Sequence, residues 1–325
     1  WPEGVPGTKW GRTETGMVAR WGRCSNATRE GGQEGRRGAR MLALSITHPD
    51  AERFIDAKVE TGKVTGANVS IKIDDEFMRA AKAGKKYHQQ FPIDSDHPKY
   101  EQDIDAKKLW EKIIHNAWKS AEPGVLFWDT ILRESVPDCY ADEGFRTVST
   151  NPCGEIPLCP DDSCRLLALN LFSYVDNPFK ADASFNFERF RDHVGKAMHM
   201  MDDIIDLELE KVEQIIAKIE ADPEDEDVRR VELELWKKIR TMALKGRRTG
   251  LGITAEGDML AALGLRYGTS EAIDFAVEVQ KTLAVEAYRA SVKMAAERGA
   301  FPIYDAAKEA RNPTTARMPY ADAAT

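Results

Sequence analysis

Asn151, Cys153 and Glu155 fall at i, i+2 and i+4 of the run Asn151-Pro-Cys-Gly-Glu-Ile-Pro-Leu158. In an extended segment all three side chains leave one face of the backbone, so an amide, a thiol and a carboxylate share one small volume. A thiol with a carboxylate two residues away can act on adjacent carbons of one substrate, the carboxylate taking a proton. Pro152 removes a backbone donor and holds its neighbours extended, and Gly154 lets another group approach the backbone closely. Such a segment suits neither a helix nor a central strand; it suits a loop pushed into a cavity. Just beyond it, in Asp162-Ser-Cys-Arg165, Cys164 can donate electrons together with a second thiol. No histidine in the local sequence offers Cys153 a base, which argues against a cysteine hydrolase.

The other cysteines narrow the chemistry. Of the five, Cys24 stands alone, while Cys139, Cys153, Cys159 and Cys164 cluster. In a chain this long with no signal-peptide pattern, clustering favours redox or metal chemistry over a secreted disulfide framework, with plain buried thiols as the alternative. Zinc fits poorly: Cys159 to Cys164 is the only spacing short enough for a knuckle, and no second knuckle matches it. No bound metal is therefore expected. The 325 residues, 42% hydrophobic and 31% charged, allow one large domain or two ordinary ones. A net charge of -8 gives no electrostatic case for a nucleic acid polymer or an anionic membrane as partner, though a single nucleotide in a pocket stays open. No apolar run approaches the roughly 18 to 20 residues that span a bilayer, and a cytoplasmic location is expected.

The elements that must position these residues follow from periodicity. Met41 to Ile46 has strand length, and Asp50 starts a helix with Phe54, Ile55 and Val59 inward. Ala67 to Ile73 alternates with period two and predicts a strand, followed by a helix through Phe77, Met78 and Ala81. Residues 85–105 are polar, carry Pro92 and Pro98, and predict a surface excursion. Lys107 to Ser120 predicts a helix with Leu109, Ile113 and Trp118 inward, and Glu122 to Trp128 a turn into a buried strand. Past the central motif, helices are expected over 184–220, 227–245 and 257–263, with another capped by Ser270 and running to Arg298. Thr249-Gly-Leu-Gly-Ile-Thr254 predicts a strand whose Gly250 and Gly252 serve tight packing, since the third glycine of a dinucleotide fingerprint is lacking. The recurring strand, helix, strand order argues for an α/β architecture with parallel strands. Three regions result: an atypical Gly, Arg and Trp-rich start over 1–40, a body over 41–311, and a frayed end over 312–325.

At this point the residues meet a family. Asn151-Pro-Cys-Gly-Glu-Ile-Pro-Leu158 with Asp162-Ser-Cys-Arg-Leu166 and Asn170-Leu171 closely resembles the finger loop, here 149–165, of ribonucleotide reductase catalytic subunits. The Asn-Pro-Cys-Gly-Glu form looks most like the adenosylcobalamin-dependent class II enzymes. Gly35-Arg-Arg-Gly-Ala39 followed by His48-Pro-Asp50 is similar to the family's specificity loop and the strand and helix after it. Asn68-Val-Ser70, Pro123-Gly-Val-Leu-Phe127 and Arg248-Thr-Gly-Leu-Gly252 also look like family blocks.

The resemblance implies a ten-stranded α/β barrel, of the type shared with glycyl radical enzymes, with the finger loop at its centre. It implies reduction of ribonucleotides to 2′-deoxyribonucleotides by thiyl-radical chemistry. Cys153 would carry the radical that removes the 3′ hydrogen, Glu155 would take the 3′ hydroxyl proton, and Asn151 would hold the ribose hydroxyls. Cys164 would be one of two reducing thiols, while Cys139 and Cys159 match no catalytic position. Gln33, Arg36 and Arg37 would sit in the loop that relays a bound dNTP or ATP effector. Adenosylcobalamin would be the cofactor, a thioredoxin- or glutaredoxin-type protein the reductant, and a homodimer the assembly. The alternatives are a class I catalytic subunit served by a separate metallosubunit, and a non-catalytic nucleotide-binding barrel fragment. The partner of Cys164, the substrate-phosphate loop and the C-terminal shuttle cysteines are absent, so an internal fragment with an incomplete barrel, inactive alone, is expected.

Overall fold

The computed structural model describes residues 39–59, 64, 66–163 and 165–317. They divide into two compact units, the first running through Ala141 and Phe145–Cys159, the second comprising Asp142–Gly144 and everything from Pro160.

The first unit begins with β1 (Met41–Ser45), α1 (Ala51–Ile55), β2 (Asn68–Ile73) and α2 (Asp75–Ala83). An antiparallel ribbon of β3 (Lys86–Phe91) and β4 (Tyr100–Asp105) follows, then α3 (Ala106–Ser120), β5 (Gly124–Phe127) and α4 (Trp128–Glu134). β2 lies between β1 and β5, parallel to both, with Leu44 opposite Ile71 and Ile71 opposite Val125. Parallel neighbours need a crossover, and the helices supply it while covering the sheet. Ile46, Phe54, Ile71, Ile73, Phe77 and Ile113 close that core, each at most 2% exposed. Burial of each such side chain contributes about 1.5–3 kcal/mol. Asp74 caps α2 by accepting from the Phe77 amide at 2.6 Å, and Tyr87 on β3 donates to the same carboxylate. Glu122 performs a similar service for β2: its carboxylate accepts from the Val69 amide at 3.1 Å and pairs with Lys58 at 2.6 Å.

The second unit contains β8 (Leu166–Asn170), β9 (Val175–Asp176) and β10 (Ser184–Phe185), after the short pair β6 (Ser149–Thr150) and β7 (Pro157–Leu158) that closes the first. A single helix α5 (Phe187–Ala221) then covers the stretch expected to be helical over 184–220, followed by α6 (Glu226–Gly246), β11 (Gly250–Thr254), α7 (Glu256–Ala262), α8 (Ser270–Arg298), α9 (Ala306–Glu309) and α10 (Pro313–Arg317). β11 runs parallel to β8, with Gly250 opposite Leu166. A Cβ on Gly250 would lie 2.6 Å from the Arg165 carbonyl oxygen, so this glycine does serve tight packing; one on Gly252 would meet nothing within 4 Å. Leu171, Phe190, Val194 and Met259 are fully buried between the helices.

Several expectations need correction. Residues 85–105 form the β3–β4 ribbon, because Tyr87 and Gln89 turn inward while charged residues alternate outward. Trp118 is 80% exposed and Val59 lies beyond the end of α1, so neither packs inward. Thr269, not Ser270, caps α8, its hydroxyl accepting from the Ala272 amide. Of the frayed end expected over 312–325, residues 318–325 lie outside the described ones, and Asn312 and Thr315 are buried at α10. Apart from these corrections, the strands of the described residues form one three-stranded and four two-stranded sheets, without closing into a barrel among themselves. The expected α/β architecture with parallel pairing is present.

Candidate functional site

The motif Asn151 to Leu158 is a hairpin. β6 and β7 pair antiparallel, Ser149 opposite Leu158 and Thr150 opposite Pro157. Between them the Gly154 amide donates to the Asn151 carbonyl at 3.0 Å, closing a four-residue turn with Pro152 at its second position and glycine at its fourth, the sequence such a turn favours. Gly154 has φ +86°, which an L side chain adopts only with strain. Asn151 closes the loop twice: its amide donates to the Ile156 carbonyl at 3.2 Å, and its side-chain oxygen accepts from the Ile156 amide at 2.9 Å.

This geometry corrects the expectation of one extended face. A turn breaks the period of two, so Asn151 is buried and built into the loop while Cys153 and Glu155 are exposed on it. The carboxamide of Asn151 keeps both N–H donors for another partner, since its oxygen serves Ile156. The thiol of Cys153 and the carboxylate of Glu155 are both open to solvent.

β2 supports the hairpin. Its odd residues Val69, Ile71 and Ile73 enter the core, and its even residues Asn68, Ser70 and Lys72 face the other way. Asn68 donates from its side chain to the Pro152 carbonyl, and Lys72 donates to the Val148 carbonyl. The Lys72 ammonium also lies 3.9 Å from the centroid of the Trp128 ring, and burial draws its pKa down to about 8. Sequence reasoning missed Lys72. The available signal was a lysine inside an otherwise confident strand.

Cys164 lies outside the described residues, as do Cys24, Gln33, Arg36 and Arg37. The flanks of Cys164 are fixed within the second unit. Arg165, with 5% of its side chain exposed, makes a two-pronged pair with Glu208 and donates to the Arg248 carbonyl at 3.0 Å. Arg248 in turn pairs with Asp162. Of the other cysteines, Cys159 is buried and Cys139 half-buried. His48 is buried and accepts from the Asp50 amide at 3.0 Å, and burial holds its pKa at about 4, so it is neutral near pH 7. Among the described residues no group of three His, Cys, Asp or Glu is placed to hold a metal ion.

A family model described as ribonucleotide reductase, barrel domain, matches residues 8–320. The chain belongs to that family. It is 34% identical over 284 residues to a vitamin B12-dependent ribonucleoside-diphosphate reductase of Thermoplasma acidophilum, covering 86% of this chain and 32% of that protein. A protein of the same description from Mycobacterium tuberculosis is 31% identical over 279 residues, covering 85% of this chain and 35% of its own length. The chain thus spans about a third of the length of these curated relatives. Among solved structures, the class Id ribonucleotide reductase alpha subunit of Actinobacillus ureae matches with a TM-score of 0.58 at 19% identity, over 82% of this chain and 43% of that one. The last likeness speaks to the fold.

Proposed function

We propose that this chain is part of the catalytic subunit of a class II ribonucleotide reductase, a cytoplasmic enzyme that reduces ribonucleotides to 2′-deoxyribonucleotides, and that the hairpin at Cys153 is its reaction centre. The observation that carries this reading is an exposed thiol held on a turn, with an exposed carboxylate two residues on and a carboxamide built into the same loop, in a chain of this family.

Each side chain then has a task. Cys153, as a thiyl radical, removes the 3′ hydrogen atom of the ribose, forming its S–H bond. Glu155 takes the 3′ hydroxyl proton as the 2′ hydroxyl leaves as water. Asn151 holds the ribose hydroxyls with its amide donors. Cys164 and a second thiol supply two electrons and two hydrogens, one to the departing 2′ hydroxyl and one to C2′, and become a disulfide, while Glu155 returns its proton to the 3′ oxygen and Cys153 its hydrogen atom to C3′. Arg165, held by Glu208, fixes the backbone next to Cys164.

Adenosylcobalamin, when bound, supplies the radical that takes the hydrogen atom from the thiol. The exposure of Cys153 fits such an encounter, and the vitamin B12 dependence in the names of the relatives supports it. A ten-stranded barrel, a dNTP or ATP effector at Gln33, Arg36 and Arg37, a thioredoxin- or glutaredoxin-type reductant and a homodimer complete the proposal.

The test is nucleotide reduction by the full-length protein with adenosylcobalamin and a dithiol. Turnover without any added metallosubunit is expected, and turnover only with one would reject class II in favour of class I. Cys153→Ala should abolish reduction while nucleotide binding persists. Reduction surviving in that variant would remove the hairpin from the chemistry.

A further inference from the structure

The outward face of β2 is polar although β2 is the central strand of a parallel sheet. Central parallel strands are normally apolar on both faces, because helices cover both. Here Val69, Ile71 and Ile73 occupy one face, and Asn68, Ser70 and Lys72 the other. Ser70 is buried, and its hydroxyl lies where a Cβ on Gly124 would come within 2.6 Å, so β5 presents a glycine at that register. The hairpin attaches on either side of Ser70. Lys72 donates to the carbonyl of Val148, which precedes β6, and Asn68 donates to the carbonyl of Pro152 in the turn itself.

The two attachments share one spacing. Asn68 and Lys72 are four residues apart on β2, about 13 Å in a strand, and Val148 and Pro152 are four residues apart on the hairpin. The numbering runs in opposite senses, 68 with 152 and 72 with 148, so the first arm of the hairpin lies antiparallel to β2 and is pinned at both ends. At the Lys72 end the ammonium also rests over the indole of Trp128, the first residue of α4. A cation held between a carbonyl and an aromatic face has few other geometries available. At the Asn68 end the bond reaches the residue immediately before Cys153.

We propose that Lys72 and Asn68 are positioning residues for the Cys153 turn, an assignment that rests on reading Cys153 as the radical-bearing thiol. Neither touches the reacting atoms. They set where the thiol stands by holding the backbone carbonyls on either side of the arm that carries it. A displacement of about 1 Å at a reacting centre can lower a rate on the order of 10²-fold, so loss of one anchor should appear in turnover before it appears in binding.

The experiment uses the full-length protein and the variants Lys72→Met, Lys72→Arg and Asn68→Ala, with kcat and KM for ribonucleotide reduction and amide hydrogen exchange of the 148–158 peptide. Lys72→Met should lower kcat by about 10- to 100-fold with KM within about threefold. Exchange at the hairpin amides should speed up by about tenfold as the loop loosens. Lys72→Arg, which can donate to Val148 and stack on Trp128, should recover most of both. Asn68→Ala, at an exposed position, should give a smaller loss of the same kind. It replaces Lys72→Met as the deciding variant if that one does not fold. A kcat within twofold of the parent, unchanged hairpin exchange, or a loss that Lys72→Arg leaves uncorrected would overturn the assignment. If the parent protein reduces no ribonucleotide, the reading of Cys153 fails, while hairpin exchange still decides whether Lys72 holds the loop.

Discussion

Replacing Glu208 by leucine should destabilise the second unit far more than replacing Arg165 by methionine, although both break one ion pair. The two partners are unequally sealed: 5% of the Arg165 side chain is exposed against 26% for Glu208. With Glu208 gone, the guanidinium keeps only the Arg248 carbonyl at 3.0 Å and cannot reach water. Stranding a buried charge in this way costs about 3–5 kcal/mol. With Arg165 gone, Glu208 turns toward solvent it already touches, and the loss is that of charge-assisted hydrogen bonds, about 1–2 kcal/mol. The double variant removes the stranded charge as well, so it should be no less stable than Glu208→Leu alone. Urea unfolding measures the difference. With a slope of about 2 kcal/mol per molar urea, Glu208→Leu should lower the midpoint by about 1.5–2.5 M and Arg165→Met by about 0.5–1 M. Equal shifts for the two single variants, or a double variant equal to their sum, would refute the argument.

Gly154→Ala should strain the turn without crowding it, since the added methyl meets only Leu126 Cδ2 at 3.9 Å while φ stays at +86°. About 1–2 kcal/mol of backbone strain is expected. Turnover should fall at least tenfold with nucleotide affinity unchanged; parental turnover would show that the conformation is not needed. His48 should give stability a pH dependence. Its folded pKa of about 4 lies below the ordinary 6.5, so the unfolded chain binds more protons between these values and stability is lost as pH falls from 6.5 toward 4. The loss amounts to about 3 kcal/mol. Asp50, raised by burial, contributes with the opposite sign as pH rises past its ordinary value, so the His48 slope is read as parent minus His48→Asn in unfolding experiments across pH 4–7. An unchanged slope in that variant would exclude the assignment.

What could be read in the chain divides along a physical line. The chemistry of the hairpin is local: an amide, a thiol and a carboxylate within five residues, with a proline and a glycine to shape the turn, all stand in adjacent letters. Its shape was not read, because the period-two argument treats a segment as extended, whereas Pro152 and Gly154 together favour a turn that tucks Asn151 inward. The strand at 68–73 and the helices at 75–83 and 187–221 were legible from period and caps. The β3–β4 ribbon was not. Its residues are polar because one face meets water, and the inward pair Tyr87 and Gln89 depends on the Asp74 carboxylate and the Ile46 carbonyl, which are distant in sequence.

Lys72 shows how a nonlocal feature still leaves a local trace. A charged residue within a central parallel strand conflicts with the burial expected on both faces, and Asn68 and Ser70 repeat that conflict at the same parity. Three such conflicts on one face amount to a pattern, because each polar group placed there needs a partner that the sheet itself cannot provide. The carbonyls of Val148 and Pro152 are two of those partners. A strand with one apolar face and one polar face, flanked by parallel neighbours, therefore predicts a polar segment lying across it. In this chain that segment is the one that carries the thiol.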